Sequence, residues 1–318
     1  MRCQEAVDGR PGQAQRLLHA EAVRCGKPRV NPILRNIRDV RFHSVLARKV
    51  LARYYRDGRV YRVPFGPIRG ARLRYARGVD FHTMLGLREL RNFRFLLRVV
   101  QAGSLLQPKS VACDVGANIG TYSLWFSRQC GQVYAFEAAP DSVTRLRDTL
   151  ALNDVRNAEV IAAACIDRTG PVDFFVGSDH HSASLSSDWA GGGRAAPSRF
   201  VVDGITLDGF FYGAQSRTGP TFIKMDIEGG GVLALKGCRL CCQRARPFFL
   251  IESHTPDEDR AIGEVLVGHA YHAYRIDTQR WVRFRDRVHP DPEGVWGTMF
   301  LCPAEFCERL QRLLGMPP

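Results

Sequence analysis

The sequence predicts an α/β protein: a mostly parallel sheet with crossover helices, preceded by a basic, mostly helical N-terminal stretch. Three observations predict it. From Ser110 onward, short apolar runs alternate with longer amphipathic ones, the rhythm of strands joined by helices. The first of these runs ends in a glycine turn, Asp114-Val115-Gly116-Ala117-Asn118-Ile119-Gly120, at the kind of strand end where such sheets bind ligands. Charge is also uneven. Residues 1–110 carry 24 Lys and Arg against 7 Asp and Glu, whereas the remainder carries 21 against 25. The net charge of +13 therefore belongs to the first third of the chain.

The elements follow in order. Residues 1–30 are polar and aperiodic. Between Ile33 and Tyr55, apolar residues recur every three or four positions, which predicts an amphipathic helix with an arginine-rich outer face. Residues 58–82 read as short strands with Gly and Pro turns, and Arg88 to Ala102 as a helix ending near Gly103. Strands are then expected at Ser110–Val115, Gln132–Glu137, Glu159–Ala164, Phe222–Ile227, Phe248–Glu252, Tyr271–Ile276 and Thr298–Cys302. Helices are expected at Thr121–Arg128 and Ser142–Asn153. Ser178 to Pro220, with Gly191-Gly192-Gly193, reads as a loop insertion.

The glycine turn has a partner. Gly116 and Gly120 allow a tight turn and close backbone approach to a ligand, and Asn118 tolerates left-handed backbone. Glu137 closes the second strand, where a carboxylate can accept both hydroxyls of a ribose. A dinucleotide site would ask for a third glycine and a helix terminus free for a pyrophosphate. Asp114 would repel a pyrophosphate but suits a ligand carrying an ammonium and a sulfonium.

These residues resemble those of a known family. Asp114 to Leu124 is similar to the first motif of the FkbM-family methyltransferases, and Val133-Tyr134-Ala135-Phe136-Glu137-Ala138-Ala139-Pro140 to the second. Leu152-Asn153, Ala164, Asp167-Arg168-Thr169-Gly170, Thr206-Leu207-Asp208 and Phe222-Ile223-Lys224-Met225-Asp226-Ile227-Glu228-Gly229 continue the resemblance in order, over about Ser110 to Pro303. Ala138, Gly231 and Met299 stand where the family usually has proline, an acid and asparagine. The resemblance implies a Rossmann-like class I methyltransferase fold, with a seven-stranded sheet whose last strand is antiparallel. It also implies S-adenosylmethionine as cofactor and transfer to a hydroxyl oxygen. The cofactor residues it suggests are Asp114, Gly116, Ala117, Asn118, Gly120, Glu137, Ala138, Ala164 and Asp226. The chain then divides into a basic extension, 1–109, and a methyltransferase domain, 110–318, with its insertion at 178–220.

Catalytic candidates lie at later strand ends. Period two puts Lys224, Asp226 and Glu228 on one face of their strand. Asp226 is expected at the crevice, as a cofactor or acceptor contact or as a base; an ion pair with Lys224 is the plainer alternative. His254, beside Glu252, is the second candidate, because an ordinary imidazole titrates nearer neutrality than a carboxylate. His180 and His181 in the insertion could cover an acceptor, though a solvated loop is the simpler expectation.

Other function classes fare less well. Cys238, Cys241 and Cys242 lack the second pair or the histidines of a zinc site, and no other metal set stands out, so no metal is expected. Ten scattered cysteines do not make a disulfide scaffold, which points to a reduced, cytoplasmic setting. No apolar run reaches the ~18 residues of a membrane span. The basic third could meet nucleic acid, but its aromatic residues form no stacking platform, so nucleic acid is not favoured. The leading expectation is an O-methyltransferase acting on a sugar, glycolipid, polysaccharide or polyketide hydroxyl. An RNA methyltransferase, a degenerate binding module and a nicotinamide oxidoreductase are the alternatives.

Overall fold

The computed structural model describes residues 54–76, 81–101, 105–177, 183–185, 187, 196–282 and 297–315. The expected helix over 33–55 falls outside the described residues except at Tyr54 and Tyr55, as do His180 and His181.

Alternating apolar residues build the central sheet. Its parallel strands are β3 (Val111–Val115), β4 (Gln132–Phe136), β5 (Ala158–Ile161), β10 (Phe222–Met225) and β11 (Phe248–Ser253). They lie in the order β11, β10, β3, β4, β5, so the chain reverses direction across the sheet beside β3. The last strand, β14 (Gly297–Pro303), inserts antiparallel between β11 and β12 (Tyr271–Arg275), as expected. The central strands β3, β10, β11 and β14 are buried on both faces. Ala112, Phe222, Leu250 and Phe300 face one core, while Cys113, Ile223, Ile251 and Leu301 face another. Helices cover both cores, the usual condition of a parallel sheet.

Four expectations are corrected. The sheet has eight strands rather than seven, because β13 (Arg280–Val282) adds to its edge as a hairpin with β12. The third strand is two: after Ile161 the chain leaves the main sheet, and β6 (Ala163–Cys165) begins a second one. That four-stranded sheet also holds β7 (Gly170–Val176), β8 (Ala183–Ser184) and β9 (Ser198–Ile205). The expected loop insertion therefore contains strand, and it also contains a short helix, Leu207–Tyr212, capped by Thr206. The alternation in β9 is blurred because most of its residues are exposed, so no apolar stripe marks it.

In the N-terminal region the short strands expected over 58–82 are present, with β1 (Val60–Arg62) paired antiparallel to β2 (Arg72–Arg74), ahead of helices α1 (Phe81–Leu85) and α2 (Leu90–Gln101). The fourth correction concerns the boundary of this region. The chain does not divide at 109. Phe93, Leu96 and Val99 of α2 are fully buried in one core with Trp125, Phe126 and Phe300. Residues from Leu51 onward form one compact unit.

Candidate active site

The site grows from the end of β3. Gly116, Asn118 and Gly120 all have positive φ, at 74°, 51° and 89°. Gly116 is needed for space as well, since a Cβ there would lie 2.0 Å from the carbonyl oxygen of Asp226. The amides of Gly116 and Ala117 both donate to the carbonyl of Phe136, tying the turn to β4. Helix α3 (Thr121–Ser127) starts directly after it.

Glu137 leaves β4 beside this turn, and its carboxylate is locked by backbone. Oε2 accepts from the amide of Asn118 at 2.8 Å, and Oε1 accepts from those of Ala138 and Ala139, both at 2.9 Å. Burial raises its pKa, and the three amides offset only part of that rise. These bonds take up both lone pairs of Oε1 and one of Oε2, leaving one acceptor position on a fixed, buried carboxylate.

A cavity opens over the turn. Of the residues expected to bind cofactor, Gly116, Asn118, Glu137, Ala138, Ala164 and Asp226 line it. Ala117 and Gly120 do not; Ala117 is buried in the core, and Gly120 starts α3 with its Cα packed under Leu146.

Asp114 is also placed differently from expectation. It is wholly buried and outside the cavity lining. Its Oδ2 accepts from the Ser123 hydroxyl at 2.6 Å, and its Oδ1 lies 3.5 Å from the Lys224 ammonium, its neighbour in register on β10. Burial raises its pKa against the pull of Lys224 and Ser123. Lys224 also donates to the carbonyl of Gly116 at 3.0 Å, so this buried pair braces the turn from beneath.

At the ends of β10 and β11 a second cluster forms. Lys224 Nζ is 3.6 Å from Asp226 Oδ2, so the plainer reading of Asp226 as an ion-pair partner is realised even though the residue lines the cavity. Burial alone would depress the Lys224 ammonium; Asp226 and Asp114 reverse this and hold it above its ordinary range. The Nε2 of His254 lies 3.4 Å from Asp226 Oδ1, 3.7 Å from Glu228 Oε2 and 3.9 Å from Glu252 Oε1. Burial would lower the His254 pKa, but Glu258, Glu228, Asp226 and Glu252 outweigh it and raise the value to about 9. The surrounding carboxylates therefore favour the protonated ring, so it is not the ready free base expected of an ordinary histidine. Glu252 moves the other way from a typical carboxylate: burial, then Asp226 and Glu89, push it up to about 7.

Several neighbours were not anticipated. Arg88 lines the cavity, and Glu89 accepts from the Tyr122 hydroxyl at 2.6 Å. Both come from the N-terminal region, where nothing in the local pattern marks them. Glu258 is fully buried and accepts from the amides of His254 at 2.7 Å and Gly231 at 2.8 Å. It belongs to a capping box with Thr255 at the start of helix Pro256–Gly268, and the Thr-x-x-Glu pattern was a readable signal. Its carboxylate sits 2.8 Å from where a Cβ on Gly231 would be, so the small residue at 231 makes room for it.

Comparison with solved structures gives distant likenesses. A methyltransferase FkbM from Methylobacillus flagellatus KT matches at 19% identity over 71% of this chain and 56% of that one, with a TM-score of 0.36. This chain thus spans little more than half of that protein's length. An rRNA methylase from Streptococcus thermophilus matches at 11% identity over 65% of this chain and 92% of that one, with a TM-score of 0.38. A precorrin-6y C5,15-methyltransferase from Geobacter metallireducens GS-15 matches at 14% over 65% and 85%, with a TM-score of 0.35. No curated protein matches. The sequence itself decides the family: residues 114–276, half of the chain and the segment that carries both the glycine turn and the acidic cluster, match the methyltransferase FkbM domain, and the chain belongs to that family.

Proposed function

We propose that this methyltransferase uses S-adenosylmethionine and transfers its methyl group to a hydroxyl oxygen of a small-molecule or carbohydrate acceptor. The observation that carries the reading is the pairing of two features on one cavity. Glu137, fixed by three amides, keeps a lone pair on Oε2 for a ribose hydroxyl, and Asp226 and Glu228 at the other end give an acidic wall suited to a sulfonium and an ammonium. Ala138, Ala164 and Cys165 offer small walls for a flat adenine. Arg88 offers a cation for the methionine carboxylate. A nicotinamide dinucleotide would bring a pyrophosphate to a turn whose nearest charged wall is acidic, which disfavours it.

Held by Glu137 and Arg88, S-adenosylmethionine would supply a methyl group for in-line displacement by an acceptor oxygen, with the bonding pair left on sulfur. The carboxylates at the ends of β10 and β11 would take the acceptor proton. The cofactor's own charge activates the methyl group. The chain's contribution is chiefly orientation, worth roughly 7–11 kcal/mol, whereas a general base typically adds ~10²–10⁴-fold in rate. Asp226 is the residue best placed to orient the acceptor, because Lys224 and His254 each hold one of its oxygens.

The test is to incubate the full chain with S-adenosylmethionine labelled in its methyl group and with fractionated extracts. Label in a glycan or small-molecule fraction, stable to alkali as an ether, is expected. Label in RNA would select an RNA methyltransferase instead, and no label in any fraction would favour a binding module.

A further inference from the structure

We infer that Asp226, Glu228 and His254 form a binding site for a divalent metal ion of the Mn²⁺ class at the acceptor end of the cavity. Each residue offers one ligand atom, and the three atoms lie within 4.8 Å of one another. Nε2 of His254 is 3.4 Å from Asp226 Oδ1 and 3.7 Å from Glu228 Oε2. An ion with bonds of ~2.1 Å holds neighbouring ligand atoms about 3.0–3.4 Å apart, so small side-chain movements bring all three into contact with it, and the ion takes the place of the Nε2 proton, which is released to solvent. The sequence did not suggest this set because Glu228 and His254 sit on different strand ends; the parallel pairing of β10 and β11 brings them together.

The surroundings are those of a ligand set rather than a chance meeting of acids. The His254 side chain is only 5% exposed, so its ring is held in place by packing. Its Nδ1 faces Glu258 Oε2 at 3.7 Å, and Glu258 is itself fixed by the capping box and by the Gly231 amide. At 3.7 Å this is an ion-pair contact rather than a hydrogen bond, so Glu258 orients the ring by charge from behind its second nitrogen. Asp226 is divided in the same sense: Oδ2 turns to Lys224, leaving Oδ1 directed at Nε2. Asp226 and Glu228 keep side-chain exposures of 22% and 30% and line the cavity, which leaves coordination positions open. One imidazole with two carboxylates suits Mn²⁺ better than the softer metals that prefer thiolate. On the methyl-transfer reading proposed above, those open positions would take an acceptor hydroxyl together with a neighbouring oxygen, as in a vicinal diol. Binding of the ion itself does not depend on that reading.

The site can be tested without cofactor or acceptor. The full chain, stripped with chelator, is titrated with Mn²⁺ and the loss of the free-ion EPR signal is followed. One saturable ion per chain is expected. Glu228→Gln, a partly exposed change that should not affect folding, should weaken binding at least tenfold, whereas Asp257→Asn on the nearby surface should leave it unchanged. Pulsed EPR of the bound ion should show coupling to one imidazole nitrogen, and this should disappear in His254→Gln. Non-saturating binding, equal binding by Glu228→Gln, or a bound ion with no nitrogen coupling would each overturn the proposal. Because adenosylmethionine is absent, a negative result here leaves the cofactor reading to its own test.

Discussion

At the scale of single residues, the side of the sheet on which a carboxylate lies decides what it can do. Asp114 and Glu137 are both strand-end acids at the glycine turn, and the sequence reading gives both to the cofactor, Asp114 to its cationic groups and Glu137 to its ribose. The fold separates them. Glu137 passes beyond the last pairing of β4 and reaches the cavity, while Asp114 points down from within β3 at Ser123 and Lys224. Asp114→Asn is therefore expected to act first on stability. Breaking a buried pair by removing one member typically costs ~3–5 kcal/mol. The loss here should fall at or below the lower end, because Lys224 keeps Asp226 and the Gly116 carbonyl. Denaturant unfolding should show the drop. A variant of wild-type stability that has lost only cofactor binding would mean that Asp114 contacts the ligand directly. His254 teaches a related lesson: its position was legible, but its state depends on Glu228 and Glu258, residues the sequence gives no reason to bring together around one ring.

At the scale of elements, the strands with continuous apolar runs were legible, and those whose surroundings change midway were not. β3, β10, β11 and β14 are buried on both faces and stand out in any window. Ala158 to Cys165 reads as one strand because every residue but Glu159 is tolerably apolar, and nothing local says that the chain changes sheets after Ile161. Helix α2 carries a sharper consequence. It was correctly expected as a helix but assigned to a separable extension. Its Phe93 stacks on Tyr122 with ring centroids 4.3 Å apart, and its Phe95 packs edge-on against Phe300 at 5.0 Å. Removing one buried large aromatic costs roughly 3–5 kcal/mol, and whole domains are stable by only about 5–15 kcal/mol. A chain beginning at residue 110 should therefore lack a cooperative thermal transition and show weak near-ultraviolet dichroism. A truncated chain that melts cooperatively near the temperature of the full chain would restore the boundary at 109.

At the scale of the whole molecule, the described N-terminal region and the methyltransferase half share a core and a site. Arg88 and Glu89 reach the cavity and its acidic end from a stretch that, by composition, reads only as basic surface. The glycine turn and Glu137 were legible as cavity residues because they are adjacent in sequence at one turn and one strand end. Asp226 and His254 were named from their strand ends, but their neighbours Glu228 and Glu258 were not, because these groups meet only through strand pairing and a helix cap. No helix among the described residues is long and apolar enough to cross a membrane. The central claim is that the cavity over Gly116 and Glu137 holds S-adenosylmethionine. It is tested most directly by calorimetric titration of the full chain with S-adenosylmethionine and, separately, with NAD. The account predicts saturable binding of S-adenosylmethionine at one site per chain and none of NAD, with the heat abolished in Gly116→Ala, whose Cβ would strike the Asp226 carbonyl. Binding of NAD instead, or S-adenosylmethionine bound equally well by Gly116→Ala, would contradict it.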